Sequence, residues 1–224
     1  MELRFLGHAC FELSDGDTTV LIDPFLSGNP KAAISADDAA ASAILLTHGH
    51  ADHFGDTVDI AKRTGAPVVA ITEIANELGN EDIQAHDPNL GGTVRFDWGW
   101  VKLVPALHTS TTPKGTVSPP AGLLISFGDT IVYHLGDTCL FSDLQLVGKR
   151  NPIDVALMCI GGHYTMDRTD AVDAADLVGA KTVIPCHYNT FPPIETDAQA
   201  FKSDVESATQ SNVVVLEPGD SHST

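Results

Sequence analysis

Basic residues are scarce in this chain. Twelve Lys and Arg stand against 30 Asp and Glu, a net charge of −18. Nucleic-acid binding rests on cations at phosphates, so a polynucleotide partner is not expected. The same shortage argues against an anionic membrane surface. Asp far outnumbers Glu, and the acidic residues are spread along the chain rather than gathered in a tail. That distribution reads as a solvated acidic shell of the kind a salt-adapted protein carries.

Long apolar runs are missing as well. None approaches the roughly 18 residues of a membrane span. Met1–Phe11 contains Glu2 and Arg4 and lacks the uninterrupted apolar stretch of a secretory signal. The four cysteines, Cys10, Cys139, Cys159 and Cys186, form no CxxC pair, and three of them lie in strand-like apolar runs. A cytoplasmic protein without disulfides is the expectation. There is no GxSxG elbow, and Gly91-Gly92 and Gly161-Gly162 fit neither a Walker nor a dinucleotide fingerprint. No low-complexity linker or break in composition divides the 224 residues. One domain over residues 1–224 follows, large enough to bury roughly 70% of its unfolded surface.

What the chain does have is Thr47-His-Gly-His-Ala-Asp-His53. Three imidazoles and a carboxylate within six residues are ligands suited to zinc and its neighbours among the divalent metals. His48, His50 and His53 are too close together to surround one metal from a regular helix face. They suit a turn after a strand. Around them, strand-length apolar runs recur from Leu3–Phe11 and Thr19–Phe25 to Thr182–Pro185 and Val213–Leu216. Helical spacing appears over Thr57–Thr64, Thr169–Val178 and Asp197–Thr209. Antiparallel-looking pairs followed by a strand–helix–strand unit occur once before about residue 93 and again after it. Two β-rich layers with helices outside would bury all these strands.

Four ligand-type residues share one context. His48 follows AILLT, His108 follows VKLVPAL, Asp137 follows TIVYHLG and His187 follows KTVIPC. Strand ends are where a rigid sheet can present chemical groups to variable loops. Seven candidates, His48, His50, Asp52, His53, His108, Asp137 and His187, exceed what one tetrahedral zinc takes. Divided between two metals they give three terminal ligands each and one bridging carboxylate, with room left for water and substrate.

The HGHADH cluster followed by isolated His108, Gly-Asp137-Thr and Cys-His187-Tyr resembles the metallo-β-lactamase superfamily over nearly the whole chain. The resemblance implies an α/β (α+β) fold, the four-layer αββα sandwich. It implies His48, His50 and His108 on a first divalent ion, Asp52, His53 and His187 on a second, and Asp137 between them. Asp23, in LIDP, matches the family's first motif and would orient ligands by hydrogen bonds. FLGHACF, YHLGDT, GGHYTM and HYNTFPPI are together similar to a small branch of metal-dependent hydrolases related to ascorbate-6-phosphate lactonase. The implied reaction is hydrolysis of a small ester, lactone or amide by hydroxide from a water whose pKa is lowered to about 7. Asp52 and Asp137 would orient that nucleophile as catalytic carboxylates. Zinc is the first choice, and manganese, iron or nickel accept the same ligand mixture. A small-molecule phosphodiesterase and a non-catalytic metal-binding protein are the alternatives, and a homo-oligomer is left open.

Several further residues stand between a structural and a functional reading. His8 is either a core histidine or part of the site's rim. His163, after two glycines, and Tyr188 and Asn189, directly after His187, are candidates for substrate contact. His134, three residues before Asp137, falls on the opposite face of its strand and reads as structural. Lys114 is the only cation of the long loop Thr109–Ala121. It could meet an anionic group on a substrate, although a lone exposed lysine is ordinarily just solvated.

Overall fold

The computed structural model describes residues 1–224. Two seven-stranded sheets organise the chain. The first contains β1 (Glu2–Gly7), β2 (Cys10–Ser14), β3 (Thr19–Ile22), β4 (Ala43–Leu45), β5 (Val68–Val69) and β6 (Ala85–His86), in that order, with the terminal strand Ser221–Ser223 beside β1. The second contains β7 (Thr93–Phe96), β8 (Gly99–Pro105), β9 (Ala121–Phe127), β10 (Thr130–His134), β11 (Val155–Cys159), β12 (Thr182–Cys186) and β13 (Asn212–Val213), again in chain order. Each sheet begins antiparallel, through β3 and through β10, and continues parallel. The repeated order of events in the sequence is therefore one architecture used twice.

Strand alternation sets the layers. On β9, Leu123 and Ile125 face the core between the sheets, while Leu124 faces the outer cluster. On β11, Val155 and Leu157 face inward, and Ala156 and Met158 outward. This two-residue period places apolar side chains on both faces of the sheet, as expected where helices cover it. Helices α1 (Ala51–Phe54), α2 (Thr57–Thr64) and α3 (Thr72–Gly79) accompany the first sheet. Helices α4 (Leu144–Arg150), α5 (Arg168–Val178) and α6 (Ala198–Ala208) cover the second. The result is the αββα sandwich.

The helices have local reasons to start and stop. Asp167 accepts hydrogen bonds from the Thr169 and Asp170 amides at the start of α5, and Asp197 does the same for Gln199 and Ala200 at the start of α6. Such caps each stabilise by about 1 kcal/mol. Gly65 and Gly179 end α2 and α5 in the left-handed region. Phe201 and Val205, four apart on α6, are completely buried. No helix is long and apolar enough to cross a membrane. All four cysteines are free thiols, three of them buried.

One expected strand is corrected. Leu3–Phe11 is two strands, because Gly7 (φ 110°) and His8 (φ 60°) both take left-handed backbone and turn the chain back on itself. Helices α3 and α4 and strand β6 are additional to the sequence reading.

Candidate metal centre

All seven candidate ligands converge at one end of the sandwich. His48 comes three residues after β4, His50 precedes α1, and Asp52 and His53 lie within α1. His108 and Asp137 each come three residues after their strands, β8 and β10, and His187 directly follows β12. The first sheet thus supplies four groups and the second three. Two glycines allow the close fit. A Cβ on Gly49 would approach Thr112 to 2.9 Å, and one on Gly136 (φ 66°) would lie 2.7 Å from the Ala121 carbonyl oxygen.

The ligand atoms fall into interlocking groups, each with its atoms within 4.8 Å of one another: His48, His50 and His108; His48, His53 and Asp137; and Asp52, His53 and His187 together with His8. Asp137 stands between the halves. Its Oδ2 is 3.2 Å from His187 Nε2, 3.5 Å from His108 Nε2 and 3.9 Å from His48 Nε2, and its Oδ1 is 3.3 Å from His53 Nε2.

A cation fits this donor set on a simple test. His53 Nε2, Asp137 Oδ1 and both ring nitrogens of His187 are buried yet have no hydrogen-bond partner. Buried polar atoms are ordinarily satisfied, and the three orphans beside one another at Asp137, His53 Nε2, His187 Nε2 and Asp137 Oδ1, call for an ion or water. The neighbours also orient the lone pairs. Asp23, fully buried with φ 44°, accepts from the Thr47 amide (2.8 Å), the Thr47 hydroxyl (2.6 Å) and His53 Nδ1 (2.7 Å). His53 therefore carries hydrogen on Nδ1. Because the Thr47 hydroxyl donates to Asp23, its oxygen is left to accept from His48 Nδ1 at 3.0 Å. The Nε2 atom of His48 is thereby kept for the centre.

His8 is buried. Its Nε2 lies 3.1 Å from Asp52 Oδ2 and its Nδ1 2.8 Å from Thr190 Oγ1. Burial, then His187, depress its pKa to about 4. The neutral ring donates from Nε2 to the carboxylate and accepts the Thr190 hydroxyl at Nδ1. It thus backs Asp52 rather than forming the wall of the cleft. His134 donates to the Ala9 carbonyl and accepts from the Gly136 amide, tying the strand end before Asp137 to the first sheet.

Proton affinities differ around the cluster. Burial lowers the pKa of His48 and, more modestly, those of His50 and His108. For His53, burial opposes charging, but the Asp137 and Asp23 carboxylates outweigh it and raise the pKa well above the ordinary value. His187 is raised to about 9, with Asp137 overcoming the cost of burial. Asp137 and Asp52 stay far below the usual carboxylate range. Burial opposes this, but His187 and His53 overcome it for Asp137, as His187 and His8 do for Asp52.

A cleft of about 630 Å³ opens onto the centre. His50, Asp52, His108, Asp137 and His187 form its polar part, and Phe25, Phe191, Tyr164, Ala51 and Thr109 the rest. Phe25, Phe191 and Tyr164 escaped the sequence reading. Phe25 follows the LIDP motif by one residue, Phe191 lies within the long loop after His187, and Tyr164 within GGHYTM, so their places in flagged segments were the available signal. The other candidates lie elsewhere. His163 is exposed, its ring edge-on to Tyr164 at 4.5 Å. The Asn189 side chain accepts from the Thr196 amide, and Tyr188 packs against the outer core. Neither Tyr188 nor Asn189 lines the cleft. Lys114 pairs with Glu81 and takes no part in the cleft.

This sandwich, with its His- and Asp-rich end, matches the beta-lactamase superfamily domain over residues 2–187, and the chain belongs to that superfamily. A UPF0173 metal-dependent hydrolase of Thermus thermophilus is 48% identical over 202 residues, covering 90% of this chain and 89% of that protein. Another, from Natranaerobius thermophilus, is 43% identical over 99% of this chain and 98% of its own length. The solved structure of a metallo hydrolase from the archaeon Ignicoccus hospitalis superposes with a TM-score of 0.90 at 37% identity, over 99% of this chain and 97% of that one. The chain is, accordingly, an enzyme of the metal-dependent hydrolase class with a His/Asp cluster able to bind metal.

Proposed function

We propose that the protein hydrolyses a small ester, lactone or amide, adding water across the acyl bond to give an acid and an alcohol or amine. His48, His50 and His108 would hold one divalent ion, and Asp52, His53 and His187 a second, with Asp137 shared. Zinc is favoured by the five-to-one ratio of imidazole to carboxylate among the terminal ligands on this assignment. Such ions would supply a water that ionises near neutral pH, and positive charge beside the carbonyl oxygen as hydroxide adds to its carbon.

The residues of the chain do the positioning. Asp137 is buried and held ionised; its Oδ1 faces His53 and its Oδ2 faces His187, His108 and His48, so the carboxylate touches both halves of the centre. Asp52 lines the cleft while His8 holds its Oδ2, which fixes the carboxylate where it would help orient the attacking water. A carboxylate kept so far below its usual range orients water better than it stores a proton. Asp23 and Thr47 fix the imidazoles that must keep their lone pairs inward.

The observation that carries this reading is the set of partnerless buried polar atoms, His53 Nε2, His187 Nε2 and Asp137 Oδ1, gathered at the Asp137 carboxylate. It is tested by metal analysis and turnover on uncharged esters and lactones. His48→Ala and Asp137→Ala should abolish turnover and lower metal content. Full activity in either variant, or in chelator-stripped protein, overturns the reading.

A further inference from the structure

The part of the cleft that is not ligand is aromatic and carries no cation. Phe25 and Phe191 are half-buried neighbours, their ring centroids 6.4 Å apart at 37°. Each also meets the buried His8 ring, at 5.7 and 5.6 Å. That packing fixes both rings from behind while they line the cleft. Tyr164 completes the apolar surface and is 55% exposed, more than any core function of a tyrosine explains. Its hydroxyl makes no hydrogen bond within the protein, so the ring is open to a ligand.

Charge points the same way. None of the residues lining the cleft is Lys or Arg. Lys114, the one cation in the adjoining long loop, is engaged by Glu81. A phosphate or carboxylate remote from the reacting bond would find no counter-ion here. It would also approach through the field of a chain with net charge −18.

We propose that Phe25, Phe191 and Tyr164 form a specificity subsite for a flat, uncharged apolar group, so that the substrates are aryl- or arylalkyl-bearing esters, lactones or amides and not phosphorylated or otherwise anionic ones. This rests on the hydrolase reading above. Aromatic contacts and the burial of a ring account for a preference of about tenfold or more over an aliphatic analogue.

The test uses the metal-loaded protein and three hydroxamates that share one chelating head: phenylacetohydroxamate, acetohydroxamate and succinic monohydroxamate. Calorimetric affinities do not depend on leaving-group reactivity. The phenyl compound should bind at least about tenfold more tightly than acetohydroxamate, and the anionic succinyl compound no more tightly than it. Phe25→Ala and Phe191→Ala should each erase most of the phenyl-to-acetyl ratio. Phe25→Leu, which keeps volume and loses the aromatic face, serves if an alanine variant does not fold. Equal affinities for all three compounds, or a preference for the anionic one, overturn the subsite and leave the hydrolase reading standing. Binding of none of the three by metal-replete protein removes both.

Discussion

The two halves of the ligand cluster treat protons in opposite ways. His50 and His108 sit at the mouth of the cleft with His48 behind them, and all three are held below their ordinary pKa. His53 and His187 are fully buried among carboxylates and are held above it. Burial alone would lower all five. The difference is Asp23 and Asp137, which face the inner pair at 2.7 to 3.3 Å. A site of one residue type is thus divided into an open half that is ready to donate lone pairs at neutral pH and an inner half that must first lose protons. Asp137, which touches both, is where the division is set.

The strongest way to break the comparison is to remove that shared carboxylate. Asp137→Asn should empty both halves and lower kcat/KM far more than 100-fold, since even orienting partners of ligands are worth roughly 10–100-fold. Metal content per chain, measured alongside turnover, checks this. Single substitutions should separate the halves: His108→Ala should lose metal from the open half, and His187→Ala from the inner one. Asp23→Asn is the next step down. It leaves every ligand in place but takes an acceptor from His53 and Thr47, and should weaken metal affinity of the inner half by about 10–100-fold. Competition titration with a chromophoric chelator resolves that loss, and an equal loss from both halves would count against the division.

Much of this site was legible beforehand. The candidate ligands lie beside strand ends, and strand ends are visible as apolar runs stopping at Thr47, Leu107, Gly136 and Cys186. The αββα order was visible because each sheet repeats the same change from antiparallel to parallel. The division between the halves was not. It depends on how closely Asp137 faces His53 and His187, and on which imidazole Asp23 reaches across 30 residues, neither of which has a local signature. The choice between the two readings of His8 stayed open for a related reason. Its segment has the apolar pattern of a strand, and only the left-handed backbone at Gly7 and His8 turns the imidazole onto Asp52. The aromatic part of the cleft was hidden because Phe25, Tyr164 and Phe191 come from three separate loops.

The opposite proton affinities give a smaller, sharper effect in pH. At pH 7 the inner half of the metal-free protein carries protons that a cation must displace, and the open half does not. Metal affinity of the inner half should therefore rise as pH rises toward about 9, the value for His187, while the open half stays nearly flat. Zinc titrations in buffers of different ionisation enthalpy read the released protons directly. Stability of the chelated protein follows the same logic. A raised histidine stabilises the fold below its ordinary pKa of 6.5, and that contribution is lost as pH rises through about 9. His8, depressed to about 4, contributes in the other direction: its share is present above 6.5 and lost as pH falls toward 4. The chelated protein should melt at lower temperature on either side of a maximum near neutrality, and metal should remove most of the alkaline fall.

The smallest effect contrasts the buried cluster with the acidic shell around it. Thirty acidic residues against 12 basic ones repel one another across the surface, and few are matched by a cation. Salt screens exposed charges, with a Debye length of about 3 Å at 1 M, but screens buried pairs much less. Molar KCl should therefore raise the melting temperature by a few degrees, and by the same amount in chelated and metal-loaded protein. An increase confined to the chelated form would mean that the salt is relieving repulsion inside the cluster. The unpaired carboxylates of the shell would then be energetically silent, and the −18 charge would bear on solubility and substrate approach rather than on the fold.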